Sequence, residues 1–153
     1  MQSLHLPLPM TGSCRCGQVR IEARAAPIMT SACHCTGCRK MTGSAYSLSA
    51  MIPAEAFAVT AGTPVVGGLH GPDQHHMFCP HCMSWMFTRI EGVDFFVNVR
   101  APMFDGVDWP APYMETMTSE KLRWVEVPAT RSYAGFPPME DFGQLLAEFA
   151  ETL

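Results

Sequence analysis

Charge is scarce in this sequence: Asp, Glu, Lys and Arg make up 16% of its 153 residues, against a usual share of about 25%. That excludes a chain kept disordered by its own charge. Basic blocks are missing too. The 10 Lys and Arg residues are outnumbered by 14 acidic ones, for a net charge of −4. Without a Lys/Arg cluster there is no electrostatic footprint for nucleic acid. No stretch reaches the roughly 18 consecutive apolar residues of a transmembrane helix, so a membrane is not an expected partner. Residues Met1 to Met10 are largely apolar, but they hold Pro7 and Pro9 and no Lys or Arg. That is not the pattern of a secretory signal, and the expected location is cytoplasmic. Internal repeats and low-complexity tracts are also absent.

Apolar mass and clustered cysteine are what the chain does have. At 48% hydrophobic, it can bury a core of single-domain size. Its seven cysteines form three tight groups: Cys14-Arg15-Cys16-Gly17, Cys33-His34-Cys35-Thr36-Gly37-Cys38 and Cys79-Pro80-His81-Cys82. An odd number in a chain without a secretory pattern argues against a disulfide framework. The spacings point to metal instead. A C-x-x-C turn aims two sulfurs at one tetrahedral ion, with Zn–S near about 2.3 Å. Cys79 and Cys82 have that form, and Pro80 helps set the turn. A C-x-C pair in a straight strand holds its sulfurs too far apart, but a bend at Gly17 brings Cys14 and Cys16 together. The simplest sum is one zinc held by Cys14, Cys16, Cys79 and Cys82, a closed and therefore structural site. It would supply part of the folding free energy.

Cys33, Cys35 and Cys38 have no evident fourth partner. Three thiolates around zinc leave one position open, as catalytic sites do. His75, His76 and His81 are candidates to close it, which would make the second zinc structural as well, whereas His34, flanked by Cys33 and Cys35, is poorly placed to share an ion with both. A redox dithiol at Cys35 and Cys38 is another reading. An iron–sulfur cluster fits the four-plus-three grouping less well. His34, inside the loop, is a candidate for contact with substrate or with a ligand. Arg39 and Lys40 could pair with a substrate carboxylate, or be solvated surface. The 12 methionines follow no repeated spacing and read as gap-fillers, not copper ligands.

Along the chain, Val19–Ala23 alternates as a half-buried strand. Ala45–Met51 reads as a strand stopped by Pro53, and Phe57–Thr60 as another. Trp85–Ile90 and Phe95–Val99 read as a hairpin turning at Glu91-Gly92. A short helical turn is expected through Arg39 to Met41. Prolines at 102, 110, 112, 128, 137 and 138 forbid a long helix across most of residues 100–138, where Leu122–Val127 reads as a late strand. Glu140–Leu153 is an amphipathic helix, with Phe142, Leu145, Leu146 and Phe149 at helical spacing. It packs on this domain or on a second copy, which would make a homodimer.

In order and spacing the cysteine groups resemble the glutathione-dependent formaldehyde-activating enzyme (GFA) family. Its members show G-x-C-x-C-G, then C-H-C-x-x-C-R-K-x-x-G-S, then F-C-x-x-C-G-S. Here these are Gly12-Ser13-Cys14-Arg15-Cys16-Gly17, Cys33-His34-Cys35-Thr36-Gly37-Cys38-Arg39-Lys40-Met41-Thr42-Gly43-Ser44 and Phe78-Cys79-Pro80-His81-Cys82-Met83-Ser84. The match covers residues 12 to 90, with a weaker echo at Leu122-Arg123-Trp124. Met83 stands where the family usually has Gly, and Met tolerates a positive φ poorly.

The resemblance implies a mainly β fold: a small, zinc-stapled β-tent domain with a C-terminal helix. The expected layout is a lead-in over 1–11, the GFA-like zinc-binding domain over 12–100, and a Pro-rich extension over 101–153 packed on the same domain. Two zincs per chain are implied. Cys14, Cys16, Cys79 and Cys82 would hold the structural one, and Cys33, Cys35 and Cys38 the open one where the chemistry lies. The implied activity is that of a carbon–sulfur lyase acting on a thiol–aldehyde adduct such as S-hydroxymethylglutathione. The open zinc would turn the thiol into a thiolate. The competing expectations are a non-catalytic zinc scaffold or interaction module, and a zinc store or sensor. Fold alone does not decide between them.

Overall fold

A computed structural model describes residues 5–153. The first four residues of the expected lead-in lie outside the described residues. β1 (Met10–Ser13), β2 (Arg20–Ala23) and β5 (Phe57–Ala61) form an antiparallel sheet in the order β1-β2-β5. The remaining strands make a second sheet. They are β3 (Met29–Cys33), β4 (Ser47–Pro53), β6 (Val65–Val66), β7 (Gln74–Phe78), β8 (Trp85–Ile90), β9 (Val93–Arg100), β10 (Met114–Thr116) and β11 (Arg131–Ser132). Their order is β11-β10-β3-β4-β9-β8-β7-β6. Helix α1 (Thr36–Thr42) follows β3, and α2 (Phe142–Ala150) closes the chain. The fold is thus mainly β with a C-terminal helix.

The main core lies where the two sheets face each other. Met10, Ile21, Ile52, Phe87, Val97 and Val99 interlock there, each at most 2% exposed. β1 comes so close to Phe104 that the two bridge at Gly12. A Cβ at Gly12 would collide with the Met103 carbonyl, so only glycine fits there. A second cluster, with Met29, Met114, Tyr113, Leu145 and Phe149, lies beneath α2. Fully buried Met10, Met29 and Met86 show methionine filling irregular gaps.

The hairpin expected at Glu91-Gly92 forms as β8 and β9, with Ile90 opposite Val93. The strand expected to stop at Pro53 is β4, which starts at Ser47 and has Pro53 as its last residue, opposite Phe96. Three expectations need correction. Leu122–Val127 is not a strand: a turn from the Val125 amide to the Leu122 carbonyl (3.1 Å) diverts its backbone. Its place in the sheet is taken by β10, parallel to β3, with β11 beyond it. The C-terminal helix covers Phe142–Ala150, not the whole of Glu140–Leu153. Its start is a 3-10 turn, Met139–Asp141, which follows Pro138. β3 was not expected as a strand at all.

Candidate metal centres

The turns set the four-cysteine cluster. After β1 the Gly17 amide donates to the Cys14 carbonyl (3.0 Å), and Gly17 takes φ +82. That bend overcomes the poor reach of a C-x-C pair. Between β7 and β8, the Met83 amide donates to the Cys79 carbonyl at 3.0 Å, with Met83 itself at φ +59. The sulfurs of Cys14, Cys16, Cys79 and Cys82 all lie within 4.8 Å of one another. Cys14–Cys16 is 3.5 Å and Cys16–Cys79 is 3.7 Å. A tetrahedron with Zn–S of about 2.3 Å has edges of about 3.8 Å, so this donor set fits zinc.

Amide donors already point at these sulfurs: Val19 to Cys14 at 3.3 Å, and His81 and Cys82 to Cys79 at 3.4 and 3.5 Å. Such donors favour thiolate over thiol. The Ser84 hydroxyl, 3.2 Å from the sulfur, leads in drawing the Cys82 thiol down to about 5.

The second cluster is built from β3 and α1. Cys33 ends β3, Cys35 caps α1 by accepting the Cys38 amide at 3.3 Å, and Cys38 lies in the first turn. The helix therefore starts earlier than the expected turn at Arg39. All three sulfurs lie within 4.8 Å of one another, and among the described residues no His, Asp or Glu joins them. The hydrogen bond from Cys38 is the main cause that brings the Cys33 thiol down to about 5, while the same contact drives the Cys38 thiol up. Both clusters could hold a metal ion, and their all-sulfur donors are compatible with zinc.

The histidines fall elsewhere. His34 is fully buried, and its Nε2 meets Glu115 Oε2 at 2.8 Å. The other Glu115 oxygen accepts from the Ser132 hydroxyl at 2.7 Å. Burial works to raise the Glu115 carboxyl, yet the Ser132 and His34 hydrogen bonds hold it below its usual range. The His34 amide also donates to the Thr116 carbonyl at 3.1 Å. His34 thus pins the cysteine loop to β10 and β11. His75 is taken up by Glu91 at 3.2 Å, and buried His76 by the Thr88 hydroxyl at 2.8 Å. Arg39 donates to the His34 carbonyl (3.3 Å) and to Thr36 (3.3 Å), so it braces α1, while Lys40 is exposed.

Cys33, Cys35 and Cys38 line a cavity of about 290 Å³, walled in part by Met51, Phe96, Met114, Phe136 and Phe142 and in part by polar side chains, among them Ser47, Gln74, His76, Thr88 and Asn98. A larger cleft of about 860 Å³, lined by Tyr46, Met83 and Trp124, lies across Trp85 and Arg100, which line both. Sequence reasoning did not single out Glu115 or Arg100. The signal for each was a charged residue inside an apolar run, Tyr113-Met114-Glu115 and Val97-Asn98-Val99-Arg100-Ala101.

Fold and cysteine geometry together define a mainly β domain with two sulfur clusters able to hold metal. The family model described as glutathione-dependent formaldehyde-activating enzyme matches residues 9–120, and the chain belongs to this family. A curated protein of Aspergillus terreus (strain NIH 2624 / FGSC A1156), which carries the family name as a provisional description, is 31% identical over 111 residues. That alignment covers 65% of this chain and 55% of the relative, so the chain spans about half the relative's length. A crystal structure of a Rhodobacter sphaeroides protein is similar in fold, with a TM-score of 0.54 and 21% identity. The match covers 65% of this chain and 91% of that one.

Proposed function

We propose that the protein is a zinc-dependent carbon–sulfur lyase that makes or cleaves a thiol–aldehyde adduct of the S-hydroxymethylglutathione kind. The observation that carries this reading is the three-sulfur cluster facing a cavity, with no fourth protein donor among the described residues. Family membership supports the thiol and aldehyde chemistry. In this reading Cys14, Cys16, Cys79 and Cys82 hold a structural zinc, and Cys33, Cys35 and Cys38 hold the zinc at the reacting centre. A zinc ion bound there would supply Lewis acidity, lowering the pKa of a substrate thiol and steadying a departing thiolate.

The chain's own residues do the rest. The Cys38 amide holds the Cys35 sulfur, and the His34–Glu115–Ser132 chain keeps the loop from turning. The apolar side chains on part of the wall limit water there, so electrostatic interactions beside them act at reduced screening. In cleavage, the C–S bond breaks with its electron pair going to sulfur. The adduct's hydroxyl loses its proton as the carbonyl forms, and sulfur gains one, so the proton count balances. The test is elemental analysis of protein purified without chelator, paired with an adduct-cleavage assay. Two zincs per chain are expected, falling to one in Cys35→Ser. Turnover in that variant should fall at least about 100-fold, the scale for removing one electrostatic stabiliser. Unchanged turnover of every adduct would refute the mechanism.

A further inference from the structure

Among the described residues lining the cavity at Cys33, Cys35 and Cys38, Arg100 is the only Asp, Glu, Lys or Arg. It ends β9, where its backbone is fixed opposite Ser49 of β4. Its side chain is 5% exposed. The guanidinium lies 4.1 Å from the centre of the Trp85 ring. Beyond that its partners are few. One nitrogen reaches the Asn98 carbonyl at 3.5 Å, Nε has no partner, and no carboxylate among the described residues forms an ion pair with it.

Burying a guanidinium is costly unless its charge and its N–H donors are met. A desolvated cation–π contact offsets part of that cost and satisfies none of those donors. Burial draws the Arg100 pKa down to about 10, which still leaves it charged at neutral pH, while the charge of Cys38 and Cys33 works the other way. His76, across the cavity, is held below its usual range by burial and then by the field of Arg100. The cavity therefore presents one buried, under-used cation among thiols, apolar side chains and neutral polar ones.

We propose that this cavity selects a compact thiol bearing a single carboxylate, and that Arg100 is the residue that reads the carboxylate. This rests on the lyase reading only in taking the ligand to be a thiol. Size and charge support the choice. At about 290 Å³, the cavity stands at the lower end of ligand pockets, which run to about 1,000 Å³. Whole glutathione carries two carboxylates and an ammonium. Seated here, it would leave one carboxylate and the ammonium with no partner of opposite charge among the described lining residues, met only by neutral side chains such as Ser47, Gln74 and Asn98, at a desolvation penalty. A single carboxylate leaves none, and it supplies the acceptors that the guanidinium lacks.

The experiment titrates the zinc-loaded protein with 3-mercaptopropionate and with 3-mercaptopropionamide, followed by tryptophan fluorescence. Trp85 reports because Arg100 lies on its ring. A charge-assisted hydrogen bond predicts that the acid binds at least about 10-fold tighter than the amide. Arg100→Met should bring the two within about 2-fold by removing that bond, and Arg100→Lys should keep part of the preference. Equal binding of acid and amide by the unaltered protein would overturn the proposal without any variant, leaving Arg100 as a counter-charge for the cysteines. A preference that survives in folded Arg100→Met would overturn it too. If the acid preference holds but no thiol–aldehyde adduct turns over, the lyase reading fails and the Arg100 assignment stands. Turnover without acid preference removes the Arg100 assignment alone.

Discussion

Met83 holds a left-handed backbone conformation, φ +59, directly after Cys82. Its side chain is 57% exposed, so little packing holds it there. What fixes it is the turn, closed by the Met83 amide on the Cys79 carbonyl and the Cys79 amide on the Ser84 carbonyl, at 3.0 and 3.1 Å. For an L-residue this conformation costs about 1–2 kcal/mol. Glycine avoids that cost but returns about 0.4–1 kcal/mol through the greater freedom of the unfolded chain. Comparing Met83→Gly with Met83→Ala cancels the lost side chain. The difference leaves glycine more stable by about 0.8 kcal/mol, or about 2–3 °C in melting temperature for a domain of this size. At Ala147, an exposed position inside α2, Ala147→Gly should run the opposite way by about 1 kcal/mol. The assay is thermal unfolding by circular dichroism at one fixed free-zinc concentration, because any ligand of the native state shifts the midpoint. If Met83→Ala melts at or above Met83→Gly, the strain assigned to this turn is not there.

Two further outcomes are expected. Glu115→Gln should weaken metal retention by Cys33, Cys35 and Cys38 by about 10–100-fold, as loss of a supporting carboxylate does. Chelator competition should show the four-cysteine cluster unaffected, and equal loss at both would mean Glu115 only supports the fold. Arg131, donating to Glu148 at 2.9 and 3.2 Å, is the main cause that holds the Glu148 carboxyl below its usual range, with Tyr113 adding a further bond. A depressed carboxyl stabilises above its unfolded value, about 4.3 for Glu, and that stability is lost as pH falls through the folded value. The protection of α2 amides, corrected for the intrinsic pH dependence of exchange, should therefore hold steady at neutral pH and fall in acid, with the fall much reduced in Glu148→Gln. The same acid profile in both proteins would show that α2 loosens for another reason.

What was legible in the sequence was what is local. Each cysteine group declared its turn because the spacing that converges two sulfurs is two or three residues long. β2 was legible because it alternates on one buried face, and β5, β8 and β9 because their β-branched and aromatic runs are bounded by turn residues. β3 was not, because Met29-Thr30-Ser31-Ala32-Cys33 lacks β-branched apolar residues and is a strand by virtue of pairing with β4 and β10. β10 has three residues and a parallel partner 83 positions away, which no local pattern announces. Leu122–Val127 misled because its composition suits a strand for which no sheet edge is free beside β10. Glu115 meets His34 across 81 residues of chain, so its role depends on a contact that only the fold creates.

The two sulfur clusters differ in how far the chain travels between their members. Cys33, Cys35 and Cys38 lie within one short loop, whereas Cys16 and Cys79 are 63 positions apart. A metal ion in the short loop can be chelated by the unfolded chain almost as readily as by the folded one, so it adds little to the native state's advantage. An ion joining Cys14 and Cys16 to Cys79 and Cys82 cross-links distant segments. By loop-closure arithmetic it restricts the unfolded ensemble by about 2 kcal/mol more than the local chelate does. Gradual chelation should thus empty one cluster with the melting temperature nearly fixed, then unfold the protein as the other gives up its ion. Thermostability and, on the proposed lyase reading, turnover would be lost in separate stages, each assigned to its own set of cysteines.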